Sequence, residues 1–305
     1  MIRTVNLRRM LIFMAVVASL APPFLINSAQ SADIPARPDT VTIETGKERE
    51  IKRQISKFVA GAVFTYMNDS LERWNTPICP LVAGLPKERG EFVLARVSEI
   101  ARDAHAPLGP EHCRPNLYVV VSDNPDDLLK KWSKRDINLF NTCNGMGYVR
   151  QFMRSRQPIR AYYNARFSSE GADHGADLLE LEGLRFDFSA NGCMASGGMD
   201  TRLRYGAVQK LTSVIVVVDS RQTTNINMGQ LADYVAMVGL AQIRLEANTG
   251  TAPTILGLFR DTQQQPPGLS PWDQAFLRSL YTTDQASTLE VTMIKRHMFE
   301  QIVGR

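Results

Sequence analysis

The sequence predicts an α+β fold in which a single mixed sheet flanked by helices forms one domain over residues 40–305. The run 214–218 contains only β-branched residues, which is typical of a strand buried on both faces. An apolar helix follows, with Asn227 as its N-cap and Gln230 in the capping-box position. Since two faces of this helix carry residues that can pack, we expect the strand and the helix to lie at the centre of the fold.

The N-terminus has the pattern of a secretory signal peptide over residues 1–31. Three arginines precede an apolar stretch at residues 10–26, and Ala29 and Ser31 place small residues at the −3 and −1 positions of a cleavage site. The alternative is an uncleaved N-terminal anchor, although the stretch is short for a span and contains two prolines. We predict a linker at 32–39, a periplasmic or secreted location, and no membrane span after signal removal.

The first half of the domain, residues 40–135, is predicted to contain helices and buried strands in turn. Amphipathic periodicity indicates the helices, and apolar runs bounded by turn residues indicate the strands. In order, the predicted elements are a short strand at 41–44, a helix at 48–67, a helix at 91–104, a strand at 117–121 and a helix that begins at Asn124 and Pro125.

The second half, residues 136–305, is predicted around the central strand and helix. Ser270, Pro271 and Asp273 give a helix start with a cap, a proline at the first position and an acid at the third. The other predicted elements are a strand within 159–163, a strand pair at 184–188 and 203–209, and a last helix at 285–302.

The four cysteines, all in the exported part, predict two disulfides, since their number is even and the compartment oxidising. Three connectivities are possible. We expect Cys79 to pair with Cys113 and Cys143 with Cys193, because each bridge then stays within its own half. Metal binding is the rival interpretation, but there is no C-x-x-C pair and the spacings are irregular. We therefore predict no metal site and no cofactor.

Residues 130–166 are strongly basic, with nine lysines and arginines against Asp136. We take Arg150, Arg154, Arg156 and Arg160 as a candidate surface for an anionic partner. The alternative is a solvated sheet edge, because lysine and arginine also protect edges from pairing. The net charge of +4 is too small to indicate nucleic acid.

Few residues carry a recognisable catalytic pattern. The sequence has no phosphate-binding loop, no dinucleotide fingerprint and no G-x-S-x-G elbow. Asp233 is a candidate buried acid, either a ligand or catalytic group or a carboxylate favoured by the helix dipole. His105 and His112 could bind a metal together, but surface histidines in a loop are more often incidental. We assign no catalytic residue.

Two resemblances add to these patterns. The stretch RWNTPICPLVAGLPKERGEFVLARVSEIAR, continued by CRPNLYVVVSDNPDDLL, resembles a group of exported bacterial proteins of unknown function. GQLADYVAMVGLAQI, followed by ILGLFRD and SPWDQAFLRSLY, is similar in layout to zincin-like exported domains. Active zincins carry H-E-x-x-H on this helix, whereas no histidine occurs here between His174 and His297. The resemblance implies a metalloprotease-like scaffold without its metal site.

These observations favour a non-catalytic binding or scaffold protein of the cell envelope. Its partner would be an envelope component or another protein, not a nucleic acid. The alternative is an exported hydrolase, either a divergent metallopeptidase or a carbohydrate-active enzyme.

Overall fold

The computed structural model describes residues 45–304 except 64–69, 136–138, 141–144, 169–176, 182–183, 189–200, 207, 245 and 261–263. The predicted signal peptide, linker and first strand lie outside these residues. The strands are β1 (Arg73–Trp74), β2 (Pro80–Ala83), β3 (Leu117–Ser122), β4 (Ile159–Ser168), β5 (Asp177–Leu181), β6 (Leu184–Phe188) and β7 (Val208–Asp219). The helices are α1 (Gly46–Ala62), α2 (Lys87–Asp103), α3 (Pro125–Arg135), α4 (Gly145–Arg154), α5 (Met228–Leu240), α6 (Pro271–Thr282) and α7 (Glu290–Val303).

β7 is the central strand of a five-stranded mixed sheet. On one side it pairs in parallel with β1 and β3, and on the other it pairs antiparallel with β4. β2 extends the sheet beyond β3, again in parallel. β5 and β6 form a separate antiparallel pair. The predicted α+β class is confirmed: the sheet is mixed, the run of valines around Val216 lies at its centre, and helices flank it.

The sheet separates two hydrophobic cores. Alternate residues of β3, β4 and β7, such as Val119 and Val216, face a large core shared with α1, α2, α5, α6 and α7. The residues between them, such as Tyr118 and Ile215, face a smaller core closed by Trp132 of α3 and residues of α4. Because β7 is buried on both faces, its unbroken apolar run is what this position requires.

The helix starts that carry capping signals are confirmed. Asn227 Oδ1 accepts from the Gln230 backbone N–H at 2.9 Å, and Gln230 Oε1 accepts from the Asn227 N–H at 3.0 Å. Ser270 and Asp273 form the same reciprocal pair before α6. Each cap satisfies backbone donors that the first turn leaves without partners.

Several elements differ from the prediction. Residues 145–154 form α4, a helix that was not predicted within the basic stretch. The strand predicted at 203–209 begins only at Val208, and α7 begins at Glu290, not at 285. The central helix ends at Leu240 because the chain becomes extended there: Ile243 bridges Val63 and donates its N–H to the Tyr163 hydroxyl at 3.1 Å.

One of the two predicted disulfides is confirmed. Cys79 and Cys113 are bonded, with their Cα atoms 5.8 Å apart. The bridge ties the residue before β2 to the segment that leads into β3. Asn116 reinforces this link, because its Oδ1 accepts from the Cys79 N–H at 2.7 Å. Cys143 and Cys193 lie outside the described residues, so their pairing stays a prediction.

Crossing a membrane takes a longer and more apolar helix than any that the structure describes.

Candidate functional site

The arginines predicted to form a binding surface lie in two environments. Arg150 and Arg154 are exposed and four residues apart, on the side of α4 away from the buried Val149. Arg156 is also exposed, just after the helix. Arg160 lies on β4 and is only 3% exposed. The first three arginines are exposed, as a binding surface requires, whereas Arg160 is buried, so its assignment to a surface is corrected.

Asp126 explains why Arg160 can be buried. Arg160 donates to Asp126 Oδ1 at 2.9 Å and to the Ser155 carbonyl at 2.8 Å. Arg156 pairs with the same carboxylate. Burial alone would raise the pKa of Asp126, but hydrogen bonds and charge from Arg160 and Arg156 lower it overall. A buried guanidinium requires such a partner. Arg160 of β4 therefore joins the strand to Asp126 of α3 and to the end of α4.

The exposed side of α3 and α4 carries cations in excess. Asp126 is neutralised by the two arginines, and Asp127 pairs with Lys131 at 3.0 Å. Within the described residues, five exposed cations on these helices have no carboxylate within ion-pair distance. We call these residues the basic layer: Lys130, Lys134, Arg135, Arg150 and Arg154.

A second arrangement, buried at the start of β1, was not predicted. Arg73 pairs with Glu290 of α7 and donates to the Thr283 carbonyl at 2.9 Å. The other Glu290 oxygen accepts the Leu71 N–H at 3.0 Å. Gln285 donates to the Leu71 carbonyl at 2.8 Å. Side chains therefore satisfy the backbone of this segment as a neighbouring strand would.

Glu72, inside the same segment, is the most unusual group of the fold. It is 2% exposed. In the part of the chain that the structure describes, neither of its carboxyl oxygens has a hydrogen-bond partner. Burial raises its pKa to about 8, so Glu72 is protonated at neutral pH. Its charged form would be costly, because an ion in a low-dielectric interior needs a counter-charge or hydrogen bonds.

Three tyrosines lie within electrostatic reach of Glu72. Burial raises the pKa of Tyr148, Tyr162 and Tyr163, and the Glu72 carboxylate adds to each increase. The Tyr163 hydroxyl donates to the Val238 carbonyl at 2.8 Å. All three phenols therefore stay neutral at physiological pH, and none of them supplies a counter-charge for an ionised Glu72.

Glu290 differs from Glu72 because it has partners. Burial raises the pKa of Glu290 to about 7, and the Arg73 guanidinium and the Leu71 N–H oppose this increase. Gln285 and Arg73 also line a neighbouring cavity of about 230 Å³, which His105 and Lys210 reach as well. We call Arg73, Gln285 and Glu290 the buried acid cluster. Carboxyl groups with raised pKa values mark functional sites in many enzymes, although structural networks raise pKa values too.

Asp233 is buried, and both of its oxygens are used. Arg96 of α2 donates to Oδ1 at 2.6 Å, and the Leu269 N–H donates to Oδ2 at 2.6 Å. A Cβ atom at Gly268 would lie 2.6 Å from the same Oδ2, so only glycine fits there without a shift. These contacts join α2, α5 and the segment before α6. The observed contacts of Asp233 are therefore structural.

Both candidate histidines lie in tight turns. His105 and His112 both have positive φ angles, of 62° and 59°, and mark tight turns on either side of Gly109. Among the residues that the structure describes, no group of three histidine, cysteine or acidic side chains is placed to hold a metal ion.

A pattern in the sequence could have found part of the buried acid cluster. In the predicted last helix, Ile294 and Met298 are four residues apart, and Glu290 lies four residues before Ile294. Glu290, Ile294 and Met298 are indeed all buried. The burial of Glu72 could not be predicted from the sequence in this way. Glu72 precedes β1, which spans only two residues and is too short to show an alternation of apolar and polar residues.

Comparisons of this chain with protein-family models, curated proteins and solved structures show no significant match. The two resemblances inferred from the sequence motifs therefore stay predictions.

Proposed function

We propose that this chain is an exported, non-catalytic binding or scaffold protein of the cell envelope, and that it holds a polyanionic envelope component on its basic layer. The observation that carries the proposal is the set of five exposed cations on α3 and α4 that lack acidic partners in the described residues. Because neighbouring acids are already neutralised, an external polyanion would meet uncompensated positive charge.

The spacing of the cations suits a ligand with repeated charges. Lys130 and Lys134 lie one helical turn apart on α3, and Arg150 and Arg154 lie one turn apart on α4. Residues four apart lie about 6 Å from each other on one helix side. Each contact is weak alone and is screened by salt. Several contacts together would give an affinity that falls steeply as ionic strength rises.

The test uses the purified full-length chain, dextran sulfate as the polyanion and neutral dextran as its matched control. We expect dextran sulfate alone to bind, with an affinity that decreases between low and physiological salt. The double substitution Arg150→Glu and Arg154→Glu should weaken binding by about tenfold, which corresponds to about 1.4 kcal/mol. Isothermal titration calorimetry measures the change.

Arg89→Glu with Arg102→Glu provides the control, because both residues are exposed on α2 and the change in net charge is identical. Equal loss of affinity in the two double variants would show that only the net charge matters. That result would overturn the proposed site.

An exported hydrolase is the second candidate function, and Glu72 is the observation that favours it. A carboxyl held protonated by an apolar environment is what a general acid requires. Hydrolysis of a labelled casein or peptidoglycan by the wild type, abolished by Glu72→Gln in a chain that still folds, would replace the binding proposal.

A further inference from the structure

A groove runs between α1 and α7. The basic layer covers the smaller core, whereas both of these helices pack on the larger core across the sheet. One wall of the groove is formed by Lys52, Ser56 and Ala60 of α1, and the other includes Val291, Lys295 and Phe299 of α7. Each wall repeats every four residues, which is the spacing of a ridge along one side of a helix. Two adjoining cavities, of about 680 and 450 Å³, share Lys295.

The charge of the groove is positive. Four cations line it: Lys52, Arg244, Lys295 and Arg296. The one carboxylate among the lining residues, Glu300, is already paired with Arg296 at 2.8 Å. Lys295 has no acidic partner among the described residues, and it stands where the two cavities meet. An occupant that carries acids would therefore find its counter-charge at the middle of the groove.

Apolar side chains also line the groove. Phe299 is buried beneath the Lys52 ammonium, which lies 4.7 Å from the ring centroid. Val59, Val63 and Val291 line the second cavity. At its rim the Thr288 N–H donates to the Leu203 carbonyl at 3.1 Å. Leu203 and the neighbouring Leu289 are 72% and 56% exposed. Large apolar side chains left in water beside a groove mark interaction sites.

We propose that this groove docks an acidic amphipathic helix of a protein partner. Each wall spans eight residues, or about 12 Å at 1.5 Å per residue, which matches two turns of a bound helix. Apolar side chains of that helix would pack on Val291, Leu203 and Leu289, and its acids would face Lys295. This is the helix-in-groove mode of recognition, with charge complementarity setting partner choice. The site is separate from the basic layer and does not depend on it.

Two synthetic peptides of fourteen residues test the proposal. Both carry the same apolar helical face. One has glutamates beside that face and the other has lysines. We expect the glutamate peptide to bind the full-length chain at least about tenfold more tightly than the lysine peptide, as measured by fluorescence anisotropy.

Lys295→Glu should weaken binding of the glutamate peptide by about tenfold and strengthen binding of the lysine peptide, because the reversed charge attracts lysines and repels glutamates. Ser56→Trp should block both peptides by filling the groove. Arg150→Glu with Arg154→Glu should leave peptide binding unchanged while it weakens dextran sulfate. Failure of this site and failure of the basic layer are therefore distinguishable.

Equal affinity for the two peptides would overturn the proposal, and so would peptide binding that Lys295→Glu does not change in a folded variant. A second copy of this chain is the other occupant to test. Concentration-dependent dimers in analytical ultracentrifugation, abolished by Ser56→Trp, would assign the groove to self-association and overturn the proposal of an acidic partner.

Discussion

At the scale of single residues, Glu72 is the group whose environment most affects the behaviour of the protein. Its two carboxyl oxygens are buried and lack partners within the described chain. In the unfolded chain the carboxyl has an ordinary pKa of 4.5, and in the folded chain its pKa is about 8. The folded state therefore binds a proton that the unfolded state releases over this range.

Glu72 makes the fold less stable as the pH rises. Between pH 4.5 and 8 the folded state holds more protons than the unfolded state, so the free energy of unfolding falls through this window. The contribution of Glu72 is fully present below pH 4.5 and is lost by pH 8, a decrease on the order of 4 to 5 kcal/mol. Glu72→Gln cannot ionise, so we expect it to unfold at a higher urea concentration than the wild type at pH 8.

At pH 5 the two proteins should differ little, because the wild-type carboxyl is already neutral there. The variant should still lose some stability as the pH rises, because burial also raises the pKa of Glu290. The exposed Glu88→Gln serves as the control and should leave the pH dependence unchanged. Parallel pH profiles for Glu72→Gln and the wild type would contradict the assignment.

The residue scale also shows what the sequence could and could not predict of the candidate sites. Counting charges located the basic stretch at 130–166 and selected Arg150 and Arg154, which are two of the five residues of the basic layer. The other three, Lys130, Lys134 and Arg135, lie in that stretch but were not part of the predicted surface. The burial of Arg160 could not be predicted in this way. It depends on Asp126, which lies 34 positions earlier in the chain and meets Arg160 only after β4 has paired with β7.

At the scale of elements, the segment that leads into β1 is held by side chains from the far end of the chain. Gln285 and Glu290 bond the backbone of Leu71, and Glu290 also neutralises Arg73. Removal of either charge would leave the other buried and unpaired, which is more costly than loss of the pair as a whole. The short β1 therefore depends on α7 as much as on β7.

The disulfide between Cys79 and Cys113 stabilises the element pair that it encloses. The bridge closes a loop with a sequence separation of 34 that contains β2 and α2. Cys79→Ser with Cys113→Ser should lower the free energy of unfolding by about 3 to 4 kcal/mol, because the unfolded chain regains the entropy that the bridge removes. Urea titration measures the loss.

The comparison for this prediction is the wild type in reducing agent, which should lose at least as much stability, because reduction also breaks the second predicted bridge. Peptide mapping without reduction tests the second predicted bridge, and a peptide that joins Cys143 to Cys193 would establish it. Unchanged stability of the double serine variant would contradict the stabilising role of the first bridge.

Among the elements, those with local signals were predictable. Asn227 and Ser270 cap α5 and α6 through residues three positions away, so the information lies within one turn. The end of α5 was missed because it is set by tertiary contacts: Ile243 leaves the helix to meet Val63 and Tyr163. α4 was missed because its arginines obscured a stripe of few apolar residues, of which Val149 and Phe152 are buried.

At the scale of the whole molecule, the sheet separates two positively charged regions. The basic layer covers one face, and the groove between α1 and α7 belongs to the helices of the other face. A protein with two such surfaces can hold two different anionic partners at once. This arrangement is what the proposed scaffold role requires.

We expect the two surfaces to bind independently. At physiological salt, charges interact over about 8 Å, which is less than the thickness of a sheet with a helix layer on each side. Saturation with dextran sulfate should therefore change the affinity for the glutamate peptide by less than about twofold. Anisotropy titrations with and without the polymer measure the change. Mutual exclusion of the two probes would show that they share one surface.

The position of β7 in the chain has a consequence for when the sheet can form. β1, β3 and β4 all pair with a strand that begins only at Val208, so the sheet cannot close until about two-thirds of the chain has been synthesised. Contacts between distant segments also form slowly. A chain that emerges from the ribosome N-terminus first would therefore stay unfolded for most of its length, which would suit the export that we propose.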